Sequence, residues 1–340
     1  MNTNKIASIE LGRVIAIFVI VAMHCQMFLS YFLYNETPWF GYIFNQSTRF
    51  AVPLFFLISG YLIQPKLAAN PISTLKSYCS PLLRVFLVWS VICLVMPFQW
   101  QTMAEQGYLV ERSGYWGYLA STPLNSILEG GLVHLWFIPA LMCAALIGAV
   151  LSYFNKLALF VPVGIALYVY GVLAGSYQDL TEFWSPFFTR NGPFFSTLLF
   201  AIGVEIRQQK ITATAKQSLF LAGFGMAIHF TEAFFLSTTG HAFNANDFLF
   251  GTMLWGTGIF LFLLAKPNLG QTPIVMNLSK SVLPIYVVHL PMIIVMMNVT
   301  RTLQVTGPLK DMLVFGGTLI LTLALVKGIE KTPLNRFLFR

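Results

Sequence analysis

Five ionisable side chains lie inside long apolar stretches of this chain: Arg13, His24, His229, Glu232 and His289. Arg49, Arg84, His134 and Glu205 lie nearer the ends of such stretches. In a hydrocarbon-facing segment a charged group costs about 3 kcal/mol on insertion scales, so each is a candidate for binding or proton transfer. Arg13 and His24 are eleven residues apart. At 100° per residue that is about 20° from three full turns, so on a helix both project from one face, roughly 16 Å apart along the axis. Two readings of the pair stand together. One is an arginine snorkelling to the inner rim with a histidine satisfied among packed helices. The other is a polar seam from the cytosolic side toward the outer leaflet, with Glu10, one turn before Arg13, holding the guanidinium.

Glu232 is the one carboxylate deep within an apolar run. Counted from the inner ends of their runs, His24 and Glu232 both rise ~20 Å, so a carboxylate–imidazole dyad is one reading. A protonated Glu232, or one paired with His229 a turn away on its own helix, is the other. His134 and Trp136 open another run at its outer end. Trp136 suits an aromatic belt, whereas His134 is placed to meet a substrate entering from outside.

These residues need helices to position them in lipid. The 340 residues are 57% hydrophobic and 9% charged, with 32 phenylalanines. A typical soluble domain is about 25% charged, so the bilayer is the expected solvent. Runs able to cross roughly 30 Å of hydrocarbon fall at 11–31, 48–65, 82–99, 132–151, 157–174, 192–206, 217–237, 247–265, 281–299 and 312–329. The expected fold is therefore an all-α polytopic membrane bundle of about ten transmembrane helices. With the N-terminus in the cytosol, 15 of the 20 Lys and Arg fall inside and 5 outside, so both termini are expected to be cytosolic. The first run contains Arg13 and His24 and lacks a following small-x-small site, which argues against a cleaved signal peptide. The segment 100–131, with Trp116 and several tyrosines, is expected to fold onto the membrane face. No stretch is long enough for an appended soluble catalytic domain.

The four cysteines, Cys25, Cys79, Cys93 and Cys143, are scattered in or beside apolar runs and form no CxxC or Cys/His cluster. A disulfide framework and a structural zinc site are not expected. The net charge of +8 reflects inner-side lysines and arginines rather than nucleic-acid binding.

Several segments resemble the acyltransferase-3 family of bacterial membrane O-acyltransferases. They are Arg13 and His24 with ten residues between, Ser47-Thr48-Arg49 followed by Val52-Pro53-Leu54-Phe55-Phe56-Leu57-Ile58-Ser59-Gly60-Tyr61, then Leu135-Trp136-Phe137, and Pro284-Ile285-Tyr286-Val287-Val288-His289. The resemblance spans the whole chain, 1–340, as a single transmembrane acyltransferase domain, most similar to stand-alone O-acetyltransferases of exopolysaccharide and enterobacterial common antigen. Family members often carry paired arginines entering the third span; here Arg84 stands alone, with Lys76 or Lys66 nearby.

The resemblance implies transfer of an acetyl group from cytosolic acetyl-CoA to a hydroxyl of an extracytoplasmic or lipid-linked glycan, in the bacterial inner membrane and without a metal. On that reading Arg13, Arg84, Lys76, Lys66 and Lys280 neutralise the CoA phosphates. His24 deprotonates the attacking hydroxyl. Arg49 or Ser59 stabilises the tetrahedral oxyanion. A proton-coupled secondary transporter is the alternative from another class, since ten helices and midplane ionisable groups describe carriers too. The sequence leaves the glycan, the oligomeric state, and direct transfer against an acetyl-histidine intermediate open.

Overall fold

The computed structural model describes residues 6–339, so Lys5 and Arg340, two of the fifteen inner-side cations, lie outside the described residues. Among the described residues the chain is helical, and the only β pairing is an isolated bridge between Tyr34 and Thr37. Ten principal helices occupy the ten expected runs: α1 (Ala7–His24), α2 (Ala51–Ala69), α3 (Pro71–Val95), α4 (Phe137–Tyr153), α5 (Phe160–Leu173), α6 (Pro193–Gln208), α7 (Ala215–Thr238), α8 (Phe250–Ala265), α9 (Val282–Thr302) and α10 (Gly307–Glu330). Seven helical stretches among them are long and apolar enough to cross a membrane. Helices α5, α6 and α8, of 14, 16 and 16 residues, are shorter than the roughly 20 residues a full crossing takes.

The first run ends sooner than its composition suggests. Helix α1 stops at His24, although the apolar run continues to Ser30 and Tyr31. Gln26, Phe28, Phe32, Asn35 and Glu36 all have positive φ, which unwinds the chain. The Asp311 carboxylate of α10 fixes this turn: its Oδ2 accepts the Phe28 backbone N–H at 2.6 Å and the Tyr31 hydroxyl at 2.8 Å. Burial and that bond push the Tyr31 phenol up to about 12.

The chain divides into two compact units. The first comprises the chain up to Ile20, Asn45–Ser80 and Ala140–Val282. Within it α7 packs along α8, and α6 packs against both α2 and α5. Glycine makes these contacts close. A Cβ at Gly60 of α2 would strike the Phe200 carbonyl oxygen, and one at Gly203 of α6 would strike the Leu57 carbonyl oxygen. Each helix presents bare backbone to the other, the usual way membrane helices gain packing where no hydrophobic force separates protein from lipid.

The second unit comprises Val21–Phe44, Pro81–Pro139 and the chain from Leu283 on. Its segment 100–131 forms three short helices, Trp100–Gln106, Tyr108–Ser121 and Pro123–Glu129. They are tied down by side chains rather than left free. Asn298 accepts the Trp100 N–H at 3.0 Å and donates to the Phe98 carbonyl at 2.8 Å, while the Trp116 indole donates to the Leu94 carbonyl. Arg112 is fully buried there, its guanidinium 4.1 Å above the Phe98 ring.

Candidate functional site

Three imidazoles from three distant parts of the sequence meet in the second unit. His24 is the last residue of α1, and its ring centroid lies 5.3 Å from that of His289 on α9. His289 in turn lies 5.2 Å from His134, edge to face. His134 stands in a single 3-10 turn, Val133–Trp136, just before α4.

Local sequence explains how that turn is held. Pro291 sits inside α9 and lacks an N–H, so the Val287 carbonyl four residues earlier loses its helical partner. His134 Nε2 fills the place, 3.1 Å from that oxygen. The Tyr286 hydroxyl donates back to the His134 carbonyl. The turn is thus fastened to α9 at both a side chain and its backbone.

These contacts fix the protons. A carbonyl only accepts, so His134 carries its proton on Nε2, and His289, whose Nδ1 faces the Tyr286 carbonyl, carries its own on Nδ1. The remaining nitrogens, His134 Nδ1 and His289 Nε2, are bare lone pairs with no hydrogen-bond partner. At 1% and 0% exposure, the two residues are beyond the reach of bulk water. No group of three His, Cys, Asp or Glu among the described residues is arranged to hold a metal ion. Trp136, the last residue of this turn, is half-buried and packs its ring against Phe137.

The first unit holds most of the other candidates, and Arg84 belongs to the second. Arg13 pairs with Glu10 at 2.9 Å, one turn below it on α1. Ser59 of α2 and Tyr78 of α3 are both half-buried.

Arg49 occupies the turn entering α2 and is already engaged. It donates to Asp247 Oδ1 at 3.0 Å and to Asn45 Oδ1 at 3.0 Å, and it reaches the Asn244 carbonyl. Arg190 takes the other oxygen of the same carboxylate at 2.8 Å. Burial pushes the Asp247 carboxyl up, but Arg190 and then Arg49 outweigh it and hold the group below its usual range. Neither Asp247 nor Arg190 stood out from the sequence as a partner of Arg49.

The sequence offers Glu232 as a partner for His24 or for His229. Its carboxylate accepts the Tyr177 hydroxyl at 3.0 Å and the backbone N–H groups of Phe250 and Gly251 at 3.2 and 2.8 Å. Those amides are the first two of α8, so Glu232 caps that helix and meets its positive end. His229 is bonded instead to Thr252 and to Gln46, at 2.8 and 2.9 Å. The ring that stands beside His24 is His289.

The cations expected to bind phosphate lie mainly at the surface. Lys66 ends α2, Lys76 and Arg84 lie on α3, and all three are exposed. Lys280, in the short 3-10 turn Ser279–Ser281, is also exposed and donates to Asn277 at 3.2 Å.

Comparison with known proteins adds a family. The acyltransferase-3 family, described as an acyltransferase domain, matches residues 6–327. A serine/alanine racemase of Enterococcus gallinarum is 29% identical over 225 residues, which cover 60% of this chain and 30% of that protein. An amino-acid racemase of Enterococcus faecalis is 27% identical over 244 residues, covering 65% of this chain and 32% of that protein. The chain thus spans less than a third of the length of these curated relatives. No solved structure matches it.

Proposed function

This chain belongs to the acyltransferase-3 family, and from that premise we propose that it is a membrane O-acetyltransferase moving acetyl from cytosolic acetyl-CoA to a glycan hydroxyl. It is a multi-pass helical membrane protein carrying an acyltransferase domain over nearly its whole described length. The acceptor we assign is an extracytoplasmic or lipid-linked sugar, reached from the bacterial inner membrane, with both termini in the cytosol. The racemase names belong to proteins most of whose length lies outside the match, and they lend this chain no racemisation chemistry.

The observation that carries the reading is the His24 ring set against His289 at the end of α1. A hydroxyl oxygen attacks the thioester carbonyl while His24 takes the hydroxyl proton. The tetrahedral carbon then collapses, the C–S bond breaks, and the proton on His24 passes to the departing CoA sulfur. A base of this kind contributes about 10²–10⁴ in rate. Arg13, steadied by Glu10, begins the same helix and attracts the CoA phosphates, with Lys66, Lys76, Arg84 and Lys280 as further cations. Of the two oxyanion donors expected we assign Ser59, because Arg49 is committed to Asp247. His134 and Trp136 line the acceptor's approach.

The test uses purified protein in liposomes with radiolabelled acetyl-CoA. Saturable binding of acetyl-CoA is expected, with release of CoA that His24→Ala lowers by about 10²–10⁴ at equal expression while binding persists. A proton-coupled carrier would neither bind nor turn over acetyl-CoA.

A further inference from the structure

The His289 ring has a proton arrangement that packing alone does not call for. Its Nδ1–H is committed to the Tyr286 carbonyl, which leaves Nε2 as a lone pair. That nitrogen is buried in a fully enclosed residue and has no donor. A buried acceptor left empty costs about 1–3 kcal/mol, and a leucine of similar size would avoid that cost. Its neighbour in one direction is His134, whose own free nitrogen, Nδ1, is likewise a lone pair and cannot donate. Its neighbour in the other direction is His24, at 5.3 Å between ring centroids.

We propose that His289 is a positioning residue whose Nε2 accepts a hydrogen bond from the His24 imidazolium formed during acyl transfer. The proposal rests on the reading of His24 as the base. In the resting protein Nε2 has no partner within hydrogen-bond distance, so the bond is absent before reaction. It forms when His24 gains the hydroxyl proton, because only then does a charged N–H seek an acceptor out of reach of water. An interaction made in the transition state and missing in the ground state raises kcat and leaves KM alone. A carbonyl-locked, neutral imidazole does this without placing a second charge in the membrane interior. The carboxylate of a Ser-His-Asp arrangement plays the corresponding part in water-soluble hydrolases.

Two isosteres separate this role from packing. In His289→Gln the side-chain amide reaches the place of Nε2 and supplies an acceptor there. In His289→Asn the amide reaches only the place of Nδ1. Both are measured as purified protein in liposomes, by CoA release from acetyl-CoA, beside His24→Ala and the parent. We expect His289→Asn to lower kcat at least 10-fold with KM for acetyl-CoA changed less than 2-fold, and His289→Gln to return within about 3-fold of the parent. Equal impairment of both variants, or loss expressed in KM, would mean a packing role and would overturn the proposal. So would parent-like kcat in both. If His289 variants behave like the parent while His24→Ala is dead, the positioning role alone falls. If His24→Ala is active, the reading of His24 falls and this proposal with it.

Discussion

Glu232 Oε2 accepts the backbone N–H of Gly251 at 2.8 Å, so a carboxylate on α7 caps the start of α8. The other oxygen holds Phe250 N–H and the Tyr177 hydroxyl. Removing the acceptor leaves three donors without it. Glu232→Ala is expected to destabilise the protein by about 1–2 kcal/mol, the usual scale for losing a helix cap. Glu232→Gln keeps one oxygen in place, and its acetyl-CoA turnover is expected to stay within about threefold of the parent. Thermal unfolding in detergent and CoA release check the two halves. Loss of most activity in the Gln variant, with stability intact, would return Glu232 to the chemistry.

The Arg49–Asp247–Arg190 cluster makes a prediction about acid. The folded carboxyl of Asp247 lies below its unfolded value because Arg190 and Arg49 outweigh burial. Its contribution to stability is therefore complete above the unfolded carboxylate value of about 3.9 and is lost as pH falls through the lower folded value. Asp247→Asn should lower the unfolding temperature at neutral pH and flatten its dependence on pH below about 4. A variant with the parent's acid profile would mean the cluster is not linked to folding.

The crossing of α2 and α6 depends on Gly60. Its missing Cβ is what lets the Phe200 carbonyl approach. Gly60→Ala forces the two backbones apart and is expected to cost about 1–3 kcal/mol, the range for overpacked contacts. Gly316, beside which nothing lies within 4 Å, is the control, and Gly316→Ala should be neutral or slightly stabilising. Thermal unfolding of the two variants side by side decides it.

Much of this architecture was legible as apolar length. All ten runs hold helices, because an unbroken apolar stretch in lipid has few ways other than helix to satisfy its backbone. The end of α1 was not legible: the run reads as apolar to Tyr31, and only the bonds from Asp311, some 280 residues away, unwind it. The Glu10–Arg13 pair is local and followed from spacing. The partner of Glu232 did not, since counting residues gives depth along a helix and says nothing about azimuth. His289 was visible as a costly residue, yet its place beside His24 and His134 depends on three segments folding together. The Pro291 that frees the Val287 carbonyl was the one local signal for that site.

Arg84 and Lys76 lie exposed on α3, where they are available to phosphate. Arg84→Ala is expected to raise KM for acetyl-CoA several-fold, with kcat changed less, and Lys76→Ala to add to it. The rise should shrink at high salt, as screening weakens exposed charges. An unchanged KM in the double variant would locate the CoA phosphates elsewhere.

If His24 takes the acceptor's proton, steady-state turnover of His24→Ala in liposomes reads out that step. At equal expression and unfolding temperature, acetyl-CoA turnover should fall by about 10²–10⁴ while acetyl-CoA binding, followed separately, persists. Turnover near that of the parent would contradict it.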